Sequence, residues 1–265
     1  REVKTLVRAI ERPDGQRYAH LATACTLADT ARNKARDQAE AVREGIQTTA
    51  ARLAPWSRFA PMERWHFLNL PRDTRHVPES GCTDCVLQAI AVHGKQLADR
   101  TQPLALRGEA LALLGHWVAD AHQPFHVSYE DDRGGNRIDR LSGIYPEARN
   151  LHDVWDNGIL ARGQTARGLR DWRAYAQALM EEIDPADRAR WETADARTWA
   201  DESYALVTDP ALLYCRWEEG TCRSLGKERR LTDAYQARFQ PVAERRLQQA
   251  AVRLAKTIAD ALGQP

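Results

Sequence analysis

Apolar residues recur every three or four positions along most of the chain, which is the period of an amphipathic α-helix. Val3, Leu6, Val7 and Ile10 show this spacing at the start of the sequence. The same period, or an alanine-rich composition, predicts further helices over 20–52, 84–99, 105–122, 150–160, 169–183, 187–206 and 227–262. Alternation with a period of two is weak and predicts at most a short hairpin. The pattern therefore predicts an all-α fold.

Proline and glycine mark the segments between the predicted helices. Four prolines interrupt residues 53–82, and Pro124 ends the helix that precedes it. A predicted loop over 127–149 contains a pair of adjacent glycines. Because no repeat or Pro/Gly/Ser-rich linker divides the chain, we expect one domain over residues 1–265. The sequence opens as if inside a helix, so we also expect a leading segment before Arg1.

Length and charge exclude several classes of protein. A chain of 265 residues can bury a substantial core. Its 38 basic and 37 acidic residues leave a net charge of +1, so stable binding of duplex DNA to a broad cationic surface is not expected. No apolar run approaches the ~20 residues of a membrane span. We expect a monomer that does not associate with membranes.

Five cysteines bear on the cellular compartment. Cys82 and Cys85 are close in sequence, as are Cys215 and Cys222, whereas Cys25 has no near neighbour. Close pairs are typical of disulfides or zinc ligands, and the second C-x-x-C pair of a zinc ribbon is absent from the sequence. We therefore predict two short disulfides, a buried free thiol and a secreted or periplasmic protein. A reduced cytosolic protein is the alternative.

Histidines and carboxylates recur at helical spacing. His116 and Asp120 are four positions apart, which places them on one helix face, and His152 and Asp156 repeat this spacing. His126 follows the proline that ends the first of these helices. A single pair of this kind is usually a surface ion pair. Two pairs in apolar surroundings favour a metal site, since burying unpaired polar groups costs several kcal/mol and since imidazole and carboxylate are zinc ligands.

Six segments together resemble the S1/P1 nuclease family, which is related to zinc-dependent phospholipase C. Residues 115–127 look like the metal motif of the family, and residues 150–156 look like its Asn-Leu-His…Trp-Asp motif. The other similar segments are Leu27-Ala28-Asp29, Trp65-His66-Phe67, Asp131-Asp132-Arg133-Gly134-Gly135-Asn136 and Trp199-Ala200-Asp201-Glu202-Ser203. In order and spacing, the match spans about residues 20–215. The resemblance implies an all-α fold whose helices pack around a zinc cluster, with Trp199, Glu202 and Ser203 behind the site.

The resemblance also implies three Zn²⁺ ions and their ligands. The ligands of one would be Asp29, His66, His116 and Asp120, and those of a second would be His126, His152 and Asp156. The third zinc of the family is bound by an N-terminal Trp, a following His and the carboxylate that matches Asp120. Because this sequence has no such Trp or His at its start, the residues present support two zinc ions. Asp29, as a proton acceptor, and Asp120 are the implied catalytic residues.

The implied reaction is hydrolysis of phosphodiester bonds in single-stranded DNA or RNA, leaving 5′-phosphates, with removal of 3′-phosphates from nucleotides. Phe67 resembles the aromatic residue on which a base stacks. Asn69 takes a base-contacting position that is Asp in some members, and Asn136 would contact phosphate or order a ligand. Core packing for Phe67 and a turn position for Asn136 are the alternatives. A zinc phospholipase C and a non-catalytic helical protein that zinc stabilises are the competing functions.

Overall fold

Helices form most of the computed structural model, which describes residues 1–263. The α-helices are, in chain order, α1 (Glu2–Ala9), α2 (Leu21–Ala24), α3 (Leu27–Arg43), α4 (Gln47–Leu53), α5 (Val86–Ala98), α6 (Leu104–His122), α7 (Leu151–Asp153), α8 (Ile159–Ala166), α9 (Trp172–Glu181), α10 (Pro185–Glu192), α11 (Ala196–Val207) and α12 (Asp233–Ala261). The 3₁₀-helices are Ala54–His66, Pro124–His126 and Pro210–Leu212, and Val154–Gly158 is a π-helix. The predicted all-α class is confirmed.

Short strands occur in pairs between the helices. They are β1 (Leu68–Leu70), β2 (Val127–Tyr129), β3 (Arg140–Gly143), β4 (Cys215–Glu218), β5 (Thr221–Ser224) and β6 (Glu228–Leu231). The strands β4 and β5 form an antiparallel hairpin, whereas β1 pairs with β2 and β3 pairs with β6 in parallel. The weak strand signal predicts the hairpin but not the parallel pairs, because each of those joins segments that are distant in sequence.

The structure corrects three helix predictions. Residues 20–52, which are predicted to form one or two helices, form the three helices α2, α3 and α4, and the helix predicted over 187–206 is divided into α10 and α11. The predicted helical face at Lys227–Arg230 is wrong, because Glu228–Leu231 is the strand β6. Arg229 is buried there and its guanidinium donates hydrogen bonds to the carbonyl groups of Leu213 and Tyr214. Pairing with β3 thus outweighs the local helical pattern.

The chain forms two compact units, and the first comprises residues 1–66, 82–118 and those from 254 onwards. Its core contains apolar residues of α1, of the helix Ala54–His66 and of α6, including Phe59 and Trp117. Gly108 of α6 is necessary for this packing, because a Cβ atom at that position would lie 2.3 Å from the carbonyl oxygen of Leu6 in α1. This unit contains Asp29, His66 and His116.

The second unit comprises residues 67–81 and 119–253 and has a core rich in aromatic residues. The ring of Phe125 meets that of Tyr214 edge to face, with centroids 4.8 Å apart. Buried hydroxyl groups in this core are satisfied: Ser128 donates to Tyr214 at 2.8 Å, Tyr204 donates to the carbonyl of Thr74 at 2.6 Å, and the hydroxyl oxygens of Tyr204 and Tyr129 are 3.1 Å apart. This unit contains Asp120 and the predicted site residues from His126 to Asp156.

Both predicted disulfides are present. Cys82 is bonded to Cys85 and Cys215 to Cys222, with Cα atoms 6.0 and 5.5 Å apart. Cys25 is the free cysteine of the described chain, and it is partly exposed rather than buried as predicted. No helix within residues 1–263 has both the length and the apolar character needed to cross a membrane. The single domain over 1–265 stays a prediction, and residues 264 and 265 of that range lie outside the described ones.

Candidate metal-binding site

Asp29, His66 and His116 lie together in the first unit, and we call them the first triad. Each offers a ligand atom within 4.8 Å of those of the other two. Nδ1 of His66 lies 3.8 Å from Oδ1 of Asp29, and Nε2 of His116 lies 3.9 Å from Oδ2 of Asp29. The two imidazole nitrogens, Nδ1 of His66 and Nε2 of His116, are 3.0 Å apart. Two imidazoles and a carboxylate at these separations are a donor set that suits zinc.

Three helices position the first triad. Asp29 lies in the first turn of α3, where the helix dipole favours a carboxylate, and 47% of its side chain is exposed. His66 ends the 3₁₀-helix Ala54–His66, is buried, and packs edge to face on Trp117. His116 lies in α6, and its Nδ1 atom is 2.9 Å from the carbonyl oxygen of Cys25. With Nδ1 directed at this carbonyl, Nε2 is the nitrogen of His116 that could hold a metal ion.

Arg32 is a residue of this site that the sequence does not single out. Its Nη2 atom lies 2.6 Å from Oδ1 of Asp29, one helical turn earlier. An Asp–Arg pair at this spacing is common on exposed helix faces, so the spacing alone carries no functional signal. The planar guanidinium group of Arg32 also has the geometry that binds phosphate oxygens in pairs.

His126, His152 and Asp156 lie together in the second unit, and we call them the second triad. Their ligand atoms are also within 4.8 Å of one another. Oδ1 of Asp156 lies 3.4 Å from Nε2 of His126, and Oδ2 of Asp156 lies 3.2 Å from Nε2 of His152. The two imidazole rings are stacked with centroids 4.9 Å apart. The second triad therefore repeats the donor set of the first, with both Nε2 atoms facing one carboxylate.

A backbone carbonyl also orients His152. Its Nδ1 atom lies 2.7 Å from the carbonyl oxygen of Gly134. Gly134 has a φ of +60°, and a Cβ atom there would lie 2.3 Å from the carbonyl oxygen of Phe125. Glycine is thus required at this position both by the left-handed backbone and by the close approach. With Nδ1 held by the carbonyl of Gly134, Nε2 is the nitrogen of His152 that is directed at Asp156.

The helix that carries His152 begins at a side-chain cap and continues into a π-helix. Asn150 caps α7 by accepting a hydrogen bond from the backbone N–H of Asp153 at 2.9 Å. Asp156 lies in the π-helix Val154–Gly158, not in the α-helix that its spacing from His152 predicts. Single π-helical turns are frequent at functional sites. Here the π-helix determines where the Asp156 carboxylate points.

Two carboxylates surround the partly buried imidazole of His126. Oδ1 of Asp120 lies 3.1 Å from Nδ1 of His126, opposite Asp156. Burial lowers the pKa of His126, but the charges and hydrogen bonds of Asp120 and Asp156 outweigh burial and hold that pKa well above its usual value. Burial raises the pKa of Asp156, but hydrogen bonds to His126 and His152 and their charges hold it far below its usual value. Since Asp120 and Asp156 favour a positive charge between them, this arrangement fits a divalent cation.

Gln123 is a second residue that the sequence does not single out. Its side-chain oxygen accepts a hydrogen bond from the backbone N–H of Phe125, and its amide nitrogen donates one to Oδ1 of Asp156 at 2.5 Å. Gln123 therefore fixes both the start of the 3₁₀-helix Pro124–His126 and a member of the second triad. Its place directly before a proline at a helix end is the signal that could have identified it.

The predicted substrate-binding residues lie in the second unit. Leu68 and Leu70 of β1 are buried, whereas Phe67 and Asn69 alternate with them and are half-buried, so these two side chains share the opposite face. Asn136 is exposed, and its side-chain oxygen accepts a hydrogen bond from Nδ2 of Asn150 at 3.2 Å. Full burial in the core is therefore excluded for Phe67, and Asn136 contacts the cap of the helix that carries His152.

Comparison with known proteins identifies the family. A family model described as S1/P1 Nuclease matches residues 1–263. Among similar proteins, Endonuclease 2 of Arabidopsis thaliana is 31% identical over 208 residues, which cover 73% of this chain and 69% of the relative. Endonuclease 3 of the same plant is 30% identical over 222 residues, which cover 75% of this chain and 70% of that relative. Nuclease P1 of Penicillium citrinum is 28% identical over 142 residues, about half of each protein.

The family match confirms the resemblance that the sequence motifs indicate. It also confirms that the chain is a nuclease, a hydrolase that acts on phosphodiester bonds and has nucleic acid as its substrate. The family is zinc-dependent, which agrees with the donor sets of the two triads. Because the matched residues extend over nearly the whole chain, this protein belongs to the S1/P1 nuclease family.

Proposed function

We propose that this chain is a zinc-dependent endonuclease that hydrolyses phosphodiester bonds in single-stranded DNA and RNA, leaves 5′-phosphates and removes 3′-phosphates from nucleotides. The observation that carries the proposal is the pair of triads, each with two imidazoles and one carboxylate. In both, a hydrogen bond from an imidazole to a backbone carbonyl prepares the opposite nitrogen for a metal. A helical protein that only packed these residues would have no need of this repeated arrangement.

In this proposal each triad holds one zinc ion. When bound, zinc lowers the pKa of a coordinated water and stabilises negative charge on phosphate oxygens. Asp120 is proposed as a further ligand and as a catalytic carboxylate. Its oxygen next to His126 fixes the imidazole through Nδ1, so that Nε2 of His126 is the nitrogen directed at Asp156. A third zinc, which family resemblance implies, needs ligands beyond these seven residues.

Asp29 and Arg32 are the proposed polar partners of the reacting phosphate. The carboxylate of Asp29 is half exposed, so a water molecule can reach it and transfer a proton to it. Arg32 contacts Asp29 and can donate to phosphate oxygens whose negative charge grows during in-line attack. The pair thus combines a proton acceptor and a charge-stabilising donor at the first triad.

Phe67 and Asn69 are the proposed contacts for a nucleobase. Their side chains share one face of β1, and the register with β2 aligns Phe67 with His126, one position before the pair Leu68 and Val127. A base that stacks on Phe67 must first leave its own helical stack, which a single strand allows and a duplex resists. The amide of Asn69 can both donate and accept, so it can hydrogen bond with more than one base edge.

We also propose that the protein acts outside the cytoplasm, in secreted or periplasmic form. The support is the pair of disulfides, because such bonds persist in oxidising compartments. Each disulfide closes a short surface segment, which a reducing cytosol would open. Oxidative folding is therefore part of how this protein acquires its structure.

The proposal is tested by metal analysis and by nuclease assays on single-stranded and duplex DNA of the same sequence. We expect bound zinc, preferential cleavage of the single strand, 5′-phosphate ends, and loss of activity with a chelator. His116→Ala and His152→Ala should each lower the rate by on the order of 100-fold or more, because each removes a metal ligand. His76→Ala, at an exposed histidine outside both triads, is the matched control and should keep the wild-type rate.

Two outcomes would oppose this proposal. Turnover of phosphocholine lipids without nuclease activity would favour the phospholipase C alternative. Full activity with zinc content unchanged in both His116→Ala and His152→Ala would show that the triads do not carry the reaction.

A further inference from the structure

We propose that Asp132 is a positioning residue that fixes the metal-binding nitrogen of His152 through a single peptide group. This inference rests on the proposed function, because it concerns zinc binding at the second triad. Asp132 lies in the Asp-Asp-Arg-Gly-Gly-Asn segment. Neither its charge nor its burial has a role in the proposed hydrolysis. The contacts of its two carboxylate oxygens indicate a structural role for Asp132.

Asp132 is a buried carboxylate, with 7% of its surface exposed. Its Oδ1 atom accepts hydrogen bonds from the backbone N–H of Gly135 at 2.9 Å and from the hydroxyl of Tyr214 at 2.6 Å. Its Oδ2 atom accepts one from Nη2 of Arg72 at 2.7 Å. Burying an ionised carboxylate is costly unless such partners satisfy it. The three partners therefore hold the carboxylate in one place.

The N–H of Gly135 and the carbonyl of Gly134 belong to the same peptide group. Asp132 accepts from the N–H on one side, and the carbonyl oxygen on the other side is 2.7 Å from Nδ1 of His152. Because a peptide group is planar and its N–H and C=O point in opposite directions, any rotation that breaks one hydrogen bond misaligns the other. Asp132 thus fixes the orientation of the carbonyl that orients the His152 ring.

The same chain of hydrogen bonds affects the electronic state of His152. A carboxylate that accepts from a peptide N–H polarises the peptide, which makes its carbonyl oxygen a better acceptor. A stronger acceptor at Nδ1 favours the tautomer of His152 with its proton on Nδ1 and raises the basicity of Nε2. Metal-binding histidines often donate directly to a carboxylate. In this protein, the peptide Gly134–Gly135 lies between the carboxylate and the imidazole.

Asp131 provides a matched control for Asp132. Both carboxylates pair with Arg72, since Nε of Arg72 lies 2.7 Å from Oδ2 of Asp131. The side chain of Asp131 is 59% exposed, and the contacts that distinguish Asp132 are those to the N–H of Gly135 and to the hydroxyl of Tyr214. Removing Asp131 therefore alters the ion pair with Arg72 while leaving the Asp132–peptide–His152 chain in place.

The experiment measures zinc affinity by competition with a chelator for the wild type, Asp132→Ala, Asp132→Asn and Asp131→Ala. We expect Asp132→Ala to bind one of its zinc ions about 10–100-fold more weakly, as is usual when the outer partner of a metal-binding histidine is lost. Asp132→Asn keeps a neutral acceptor for the N–H of Gly135 and should show an intermediate loss. Asp131→Ala should stay within about twofold of the wild type.

A second measurement examines the tautomer of His152 without any metal. Nitrogen-15 NMR of the zinc-free protein should place the proton of His152 on Nδ1 in the wild type and in Asp131→Ala. In Asp132→Asn and Asp132→Ala, the Nδ1 and Nε2 shifts should move toward each other as the two tautomers mix. A change confined to folding stability would leave these shifts unchanged, so the measurement separates positioning from general destabilisation.

His152→Ala distinguishes failure of this inference from failure of the proposed function. If His152→Ala keeps every zinc ion at wild-type affinity, the second triad does not bind zinc and the proposed function is wrong. If His152→Ala loses one zinc ion while both Asp132 variants keep wild-type affinity and wild-type nitrogen shifts, the positioning role of Asp132 is refuted. Should Asp132→Ala not fold, Asp132→Asn with its nitrogen shifts decides the question.

Discussion

At the scale of single residues, two backbone carbonyls orient the candidate metal ligands. The carbonyl of Cys25 faces Nδ1 of His116, and that of Gly134 faces Nδ1 of His152. A carbonyl accepts a hydrogen bond without adding a further negative charge beside the imidazole, and it leaves Nε2 of each ring directed at the other members of its triad. The geometry of each triad therefore depends on residues whose side chains contribute no ligand.

Gly134→Ala should destabilise the protein more than the same substitution at a glycine that also has a positive φ but has open space around it. The new Cβ would meet the carbonyl of Phe125, in addition to the strain of a φ of +60°. We expect a loss of about 2–4 kcal/mol in the free energy of unfolding. Gly168→Ala is the control, since φ is +68° there and no atom lies within 4 Å of the added Cβ, so it should cost about 1 kcal/mol. Urea denaturation of the two zinc-free variants measures their free energies of unfolding. An equal loss in Gly134→Ala and Gly168→Ala would contradict the steric argument.

The sequence predicts the side chains of the site better than their surroundings. Six of the predicted ligands are brought together in two triads. Helical spacing indicates His116, His152 and Asp156, whereas Asp29 and His66 are indicated as ligands by the family resemblance. The carbonyl acceptors are not visible, since any residue carries a carbonyl and only the fold determines which one faces an imidazole. Arg32 carries no sequence signal, because an Asp–Arg pair at its spacing is common on exposed helix faces, and the signal for Gln123 is only its place before Pro124.

At the scale of elements, α11 and α12 hold the end of α6, which carries Asp120. The hydroxyl of Ser203 donates to the carbonyl of Ala121 at 2.7 Å, and Nε of Arg246 donates to the carbonyl of His122 at 3.0 Å. The last carbonyls of a helix lack partners within it, so these bonds satisfy them. Glu202 pairs with Arg246 and neutralises its buried charge. Such packing agrees with the expected place of Glu202 and Ser203 behind the site.

Glu202→Gln should destabilise the protein at neutral pH but much less in acid. Burial raises the pKa of Glu202, but hydrogen bonds and charge from Arg253 and Arg246 outweigh burial and lower that pKa below its usual value. Its contribution is therefore present above the unfolded-state pKa of about 4.3 and is lost as the pH falls through the lower folded-state pKa. We expect a loss of about 1–3 kcal/mol at pH 7 and a smaller one at pH 3.

Urea denaturation of the zinc-free protein at the two pH values measures this difference. The exposed pair of Glu228 with Arg140 supplies the control, because Glu228→Gln should change the free energy of unfolding by less than about 0.5 kcal/mol. A loss in Glu202→Gln that is the same at pH 7 and pH 3 would mean that charge on Glu202 does not stabilise the fold.

The sequence predicts the existence of helices but not how they are divided. Alanine-rich residues 20–52 carry a continuous helical period, yet α3 and α4 are separated at a glycine, Gly45, whose φ is +73°. The π-helix that contains Asp156 has no sequence signal, since it differs from an α-helix by one residue per turn. Residues 228–231 pair with a strand almost 90 positions away, which no local pattern can reveal.

At the scale of the whole molecule, the disulfides restrain short surface segments rather than linking distant parts of the chain. Cys82–Cys85 precedes α5, and Cys215–Cys222 joins the two strands of the β4–β5 hairpin. Loops this short lose little chain entropy on closure, so each disulfide adds only about 2 kcal/mol to stability. Most of the stability therefore comes from the apolar cores of the two units.

Reduction of the disulfides should weaken the folded protein without unfolding it. We expect the free energy of unfolding to fall by about 2 kcal/mol for each disulfide that is removed in a Cys→Ala double variant. Cys25→Ser is the control, because Cys25 forms no disulfide in the described chain. Thiol titration of the unreduced, denatured protein should find one thiol; three or five would contradict the pairing.

The parallel pairing of β1 with β2 has a consequence for altering this protein. Leu68 and Leu70 anchor β1 in the interior, while Asn69 between them faces away, and β2 begins directly after His126. In the proposed role of Asn69 as a base contact, replacing it would change which bases are preferred, while the pairing of β1 with β2 keeps Phe67 and His126 in place. A library of substitutions at position 69 is the experiment by which we expect to obtain nucleases with altered base selectivity, because Asn69 belongs to neither triad.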